Sequence, residues 1–148
     1  MQISEEGKGI IKRFEGCKLE AYLCSAGVPT IAWGKTHGVK MGDTCTQEQA
    51  DQWFDEEIVE YENYVNDLVT APLNQSQFDA LVSWVYNLGP ANLKSSTMLR
   101  VLNEGKYDLV PSEMRKWVKA GGKVNAGLER RRLAESMLFE SNPDWVEV

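Results

Sequence analysis

Apolar residues recur at helical spacing along most of this chain and give way only once, near the start, to an aromatic and β-branched tract. Ser4 is placed to cap a first helix, with Glu5 and Glu6 in the first turn, where the helix dipole favours anions. Ile10, Ile11 and Phe14 then share one face, and Gly16 is expected to stop the helix, leaving Glu15 at its C-terminal end. Residues 17–36 are punctuated by Gly27, Pro29 and Gly34 and predict two or three short antiparallel strands. Thr46 and Gln49 form a capping box. After it Trp53, Phe54, Ile58, Tyr61, Val65 and Leu68 keep helical spacing while acids fill the other face, which predicts a long helix to about Val69.

Beyond Ala71-Pro72 the pattern is helical throughout. NQSQFDALVSWVYNLG is strongly apolar on one side and stops at Gly89-Pro90. SSTMLRVLNEG, VPSEMRKWVKAGG and GLERRRLAESMLFE each read as one short helix, and SNPDWVEV reads as a surface extension. No internal repeat or low-complexity tract appears. The pattern therefore predicts an α+β, mainly α protein with one small sheet near its start, and the long helix is suited to join a small β-containing lobe to a second one.

Composition narrows the partners. A length of 148 residues suits one domain with a real core, 1–148. No apolar run approaches a membrane helix, so no membrane insertion is expected. The first residues lack a basic, apolar and small-residue leader pattern, so no export route of the chain's own is expected. A net charge of −6 speaks against nucleic acid, which needs clustered Lys and Arg. The acid is uneven: residues 1–70 hold 6 Lys/Arg against 13 Asp/Glu, and residues 71–148 hold 10 against 9. Its densest run, DQWFDEEIVEYE, reads as a solvated helix face. Arg130, Arg131 and Arg132 are consecutive, so they point apart on a helix and about one of them should face any cleft; a salt bridge to the Glu15 region and attraction to an anionic polymer are the two readings that fit. Three cysteines, Cys17, Cys24 and Cys45, make a poor disulfide framework, and with His37 they lack the C-x-x-C knuckle of structural zinc. No cofactor or metal is expected.

Candidate chemistry lies in FEGCKLEAYLCSAGVPTIAWG. Taken singly, Glu15 reads as a surface glutamate, Cys24 as a small buried hydrophobe and Thr30 as an ordinary strand residue. Together they carry more. A carboxylate at a helix C-terminus beside Phe14 sits where the proton is favoured, as a general acid for glycosidic cleavage requires. E-G-x-x-L-x-A-Y followed by G-x-P-T-I-x-x-G-x-T resembles the phage-type lysozymes, the endolysins of glycoside hydrolase family 24. That family places a Glu, then eight residues, then Asp or in some members Cys, then five residues, then Thr; here these are Glu15, Cys24 and Thr30. PLNQSQFDALVSWVYNLGPANLKSSTMLRVLNEGKYD and RKWVKAGGKVNAGLERRRLAESMLF also resemble family segments, so the likeness runs from about Ser4 to Phe139.

The resemblance implies a lysozyme-like, two-lobed fold: a sheet-bearing lobe over about 15–60, and a helical lobe over about 61–148 that includes the N-terminal helix. It implies a muramidase acting on the β-1,4 bond between N-acetylmuramic acid and N-acetylglucosamine of bacterial peptidoglycan, leading to host lysis. Glu15 would protonate the leaving oxygen, Cys24 would stand in the aspartate position and Thr30 would hold the water. Tyr86 and Asn87 would bind substrate. A monomer is expected that resides in the host cytoplasm and relies on a separate holin to reach the wall. Cys24 is the departure: it would serve as a thiolate, for which Lys35 and His37 are the nearest cations, as a neutral water-positioning group, or not at all. Three other functions remain open on the residues. A lytic transglycosylase would need only Glu15, a non-catalytic peptidoglycan-binding module would need none of them, and a Cys–His hydrolase would use Cys24 with His37.

Overall fold

Side-chain caps decide where the main helices begin. In the computed structural model, which describes all of residues 1–148, the Ser4 hydroxyl accepts from Gly7 N to start α1 (Glu5–Glu15). Thr46 and Gln49 complete a capping box ahead of α2 (Gln47–Leu68). Asn74 and Gln77 do the same for α3 (Gln75–Leu88). Between α1 and α2 run the antiparallel strands β1 (Lys18–Leu23) and β2 (Pro29–Ala32), with an irregularity between Lys18 and Tyr22 and direct pairing of Tyr22 with Thr30. An isolated bridge, Glu20 to Thr44, adds a third partner at the edge. The architecture is the mainly α, α+β one expected, with the small sheet near the start.

Two cores result. The larger holds 23 buried residues gathered from α1, α2, α3 and the later helices, and α3 runs through it with Phe78 to Val85 all buried. The smaller holds Ala21, Ile31, Ala32 and Ala50, beneath the sheet. Trp33 packs against both. No helix is long and apolar enough to cross a membrane.

After α3 come α4 (Pro90–Ser95), α5 (Thr97–Asn103), α6 (Val110–Met114) and α7 (Ala126–Phe139). The sequence pattern missed α4 because Gly89-Pro90 reads as a stop; Pro90 stops α3 and also opens α4, occupying a position where its missing N–H is not needed. VPSEMRKWVKAGG is not one helix. It ends at Met114 and is followed by a hairpin of β3 (Lys119–Ala120) and β4 (Lys123–Val124). Gly121 and Gly122 both have positive φ (59° and 80°), the geometry of a two-residue hairpin turn that overrides the helical apolar spacing. SNPDWVEV is no loose extension either. Residues Pro143–Glu147 form a 3₁₀ turn that buries Trp145, whose indole N–H donates to Glu6 Oε1 at 2.7 Å. Arg13 donates to the carbonyls of Trp145 and Val146, which ties this tail to α1.

Candidate active site

Glu15 is the last residue of α1, where Gly16 (φ 68°) turns the chain into β1. Its side chain is 18% exposed and opens onto a cleft of about 630 Å³ between the sheet and the helices. Arg131 of α7 donates from Nη1 to Glu15 Oε2 at 2.8 Å. On the other side a Cβ built on Gly34 would stand 2.6 Å from Glu15 Oε1, so the backbone of residue 34 closes on the carboxyl as only glycine allows.

Strand alternation places the next two groups. Tyr22 lies opposite Thr30, and Cys24 follows two residues on, so the three sit along one face of the hairpin. Cys24, Thr30 and Tyr22 all line the cleft with Glu15. All three cysteines are free thiols. Burial alone would raise the Cys24 pKa, but hydrogen bonding from the surrounding backbone, that of Val28 and Ala26 foremost, outweighs it and brings the thiol below its ordinary 9.0. The sequence pointed to Lys35 and His37 for this task; Lys35 instead pairs with Glu57, and no hydrogen bond joins His37 to Cys24. Thr30 is 3% exposed, and its hydroxyl donates to Val28 O at 2.8 Å. It therefore offers mainly lone pairs to a third party.

Tyr86 and Asn87 reach the cleft from the end of α3. The Tyr86 hydroxyl donates to Trp33 O at 2.7 Å, and burial, with Glu15 adding, drives its pKa far up, so it stays protonated. Asn87 Oδ1 accepts from Arg132 Nη2 at 2.8 Å, and no hydrogen bond within the protein uses its NH₂. Sequence reasoning missed Glu57, Glu60 and Tyr61, which α2 contributes to the same wall. The acidic run was read as wholly solvated, yet residues 57, 60 and 61 are one helical turn apart and share a face; that spacing was the available signal. Burial and the neighbouring Glu60 and Glu57 push the Tyr61 hydroxyl up to about 12. Tyr22 was missed as well, although its alternation with Cys24 was visible.

Behind the carboxyl stands a buried charge network. Glu135, wholly buried, accepts from Arg131 Nε at 3.1 Å and from Ser83 Oγ at 2.5 Å. Arg132 Nε lies 2.7 Å from Glu135 Oε1 as a charge contact. Burial works against the Arg131 charge, but Glu15 and Glu135 outweigh it and hold the guanidinium protonated. Arg132 has less help, and burial pulls its pKa down. The salt bridge expected of the arginine run is made by Arg131 to Glu15, while Arg132 turns inward and Arg130 stays exposed.

A helical lobe and a small sheet lobe flanking a cleft, with a glutamate at the end of the first helix, define a lysozyme-like hydrolase fold. The chain belongs to the phage lysozyme family, whose pattern matches residues 12–135. It is 44% identical to the endolysin of Acyrthosiphon pisum secondary endosymbiont phage 1 over 147 residues, 95% of this chain and 99% of that one. Among solved structures it is similar to the endolysin from Escherichia coli O157:H7 phage FAHEc1 (TM-score 0.84, 37% identity, 94% of this chain and 93% of that one). It is equally similar to the muramidase domain of SpmX from Asticaccaulis excentricus (TM-score 0.84, 37% identity, 93% and 97%). It is thus a cell-wall-lysing enzyme of the lysozyme type.

Proposed function

We propose that the protein is a muramidase that hydrolyses the β-1,4 bond between N-acetylmuramic acid and N-acetylglucosamine in peptidoglycan, as one domain whose lobes meet at the cleft. The carrying observation is that Glu15 is anchored at the edge of this cleft with Cys24 and Thr30 along the facing strands. The muramidase similarity supports the substrate class.

Glu15 gives its proton to the bridging oxygen as the C1–O bond breaks. Thr30, its own proton on Val28 O, accepts a hydrogen bond from the attacking water, which keeps that hydrogen as the new C1 hydroxyl; the Cys24 thiolate takes the other as a proton while the new C1–O bond forms. Water entering from the face opposite the leaving group gives inversion. The Asn87 amide and the wall formed by Tyr86 hold the sugar's polar edges and ring. Digestion of purified peptidoglycan tests this. Mass spectra should show fragments carrying the mass of an added water, with N-acetylmuramic acid at the new reducing end. Anhydro sugars would instead make the protein a transglycosylase, and unchanged polymer would make it a binding module.

The thiolate role makes a separate prediction. Because the folded thiol titrates below its ordinary 9.0, the thiolate fraction climbs with pH and sets one limb of a bell-shaped pH–rate profile below that value, while the need for a proton on Glu15 sets the other. The linked stability has the same sign: a depressed folded pKa contributes stability above the unfolded value, and this is lost as pH falls through the folded one. Cys24→Asp should carry that limb down to the carboxylate range, about pH 4, with activity at neutral pH retained or raised. Cys24→Ser should be slower throughout. Equal pH–rate profiles for Cys24→Ser and wild type would exclude the thiolate.

A further inference from the structure

We propose that Tyr86 is a positioning residue for Glu15, acting through the turn at residues 32–34 that walls the carboxyl. The inference rests on Glu15 being the acid. Ile31 and Lys35 exchange both backbone hydrogen bonds, at 2.9 Å each, and so close a three-residue turn. Two of its residues are left-handed: Gly34 at φ 86°, and Ala32 at φ 57°, a conformation that alanine disfavours. Ala32 is nearly inaccessible at 2% exposure, so the surrounding packing must enforce it.

Two helices grip Trp33 at the apex. From α2, Asp51 Oδ1 accepts the indole N–H at 2.8 Å. From α3, the Tyr86 hydroxyl donates to the Trp33 carbonyl at 2.7 Å. That carbonyl belongs to the peptide joining Trp33 to Gly34, and Gly34 is the residue pressed against Glu15 Oε1. Arg131 holds the other oxygen. The carboxyl is thus fixed between an ion pair and a backbone wall, and the wall's position is set by one hydroxyl on α3, whose residues Phe78 to Val85 are all buried. The Tyr86 ring packs on Tyr61 and Phe54 with centroids 4.9 and 5.9 Å away, so its removal from solvent does not depend on a bound sugar.

Tyr86→Phe keeps the ring and its packing and removes only the tether. Steady-state kinetics on soluble peptidoglycan fragments should show kcat lower by about ten- to a hundredfold with KM unchanged. The thermal midpoint should stay close to wild type, and a crystal structure should show the Glu15 carboxyl displaced. Gly34→Ala should lose at least as much kcat, and the double variant should be no slower than Gly34→Ala, because both disturb the same wall. Wild-type kcat in Tyr86→Phe, a raised KM at unchanged kcat, an unmoved carboxyl or multiplying losses in the double variant would each overturn the inference. If Gly34→Ala does not fold, the kinetics and structure of Tyr86→Phe decide alone. A Glu15→Gln enzyme that stays active would overturn the acid assignment itself. An inert Glu15→Gln beside an unimpaired Tyr86→Phe would overturn only this inference.

Discussion

Glu15→Gln is expected to abolish clearing of outer-membrane-permeabilised cells while leaving the fold intact. The amide has the carboxyl's size, so it fits between Arg131 and the Gly34 backbone, but it has no proton of suitable acidity for the bridging oxygen. General acid catalysis contributes about 10²–10⁴-fold, and at least that loss should appear in turbidity assays. The fold should survive because Arg131 keeps Glu135 Oε2 at 3.1 Å and the Ser83 carbonyl at 3.1 Å after its partner is neutralised. Circular dichroism should therefore give a melting curve near that of the wild type. Residual activity above a hundredth of wild type would show that proton donation lies elsewhere.

The largest loss of stability is expected from Glu135→Ala. This carboxylate is wholly buried and faces two guanidinium groups that are themselves 3% and 0% exposed. Without it Arg131 keeps Glu15 and Ser83, whereas Arg132 keeps only Asn87 Oδ1 and already carries an unpartnered buried Nη1. An uncompensated buried charge costs about 3–5 kcal/mol. For a chain of this size that lowers the melting temperature by roughly ten degrees or more. Urea titration should register it as a lower midpoint at unchanged slope. Glu135→Gln should lose less, since its one side-chain oxygen can still accept from both Ser83 Oγ and Arg131 Nε. A Glu135→Ala variant as stable as wild type would mean that the network is dispensable for folding.

Local signals were legible in the chain and tertiary ones were not. Ser4 and the Thr46 box act within three residues, so caps and helix starts could be read directly. The fold class followed from one aromatic tract among helical repeats. The Glu15, Cys24 and Thr30 spacing was visible because a helix end and one hairpin carry all three. What was hidden depends on distant partners. Trp145 looks like a tail residue until α1 offers Glu6. The Gly121-Gly122 turn competes with an apolar period that favours a helix, and it wins through positive φ. Glu57 and Glu60 resemble other surface acids until α2 lies along the sheet. The bond from the Tyr86 hydroxyl to Trp33 was hidden because nothing near Tyr86 in the chain announces a partner 53 positions away.

The bond between Glu15 and Arg131 joins residues 116 positions apart. A ribosome making this chain therefore releases the acid early and its anchor late. Until α7 emerges and docks, the carboxylate lacks the Arg131 guanidinium that holds it. The anchored acid is thus a property of the whole fold and of no N-terminal part of it.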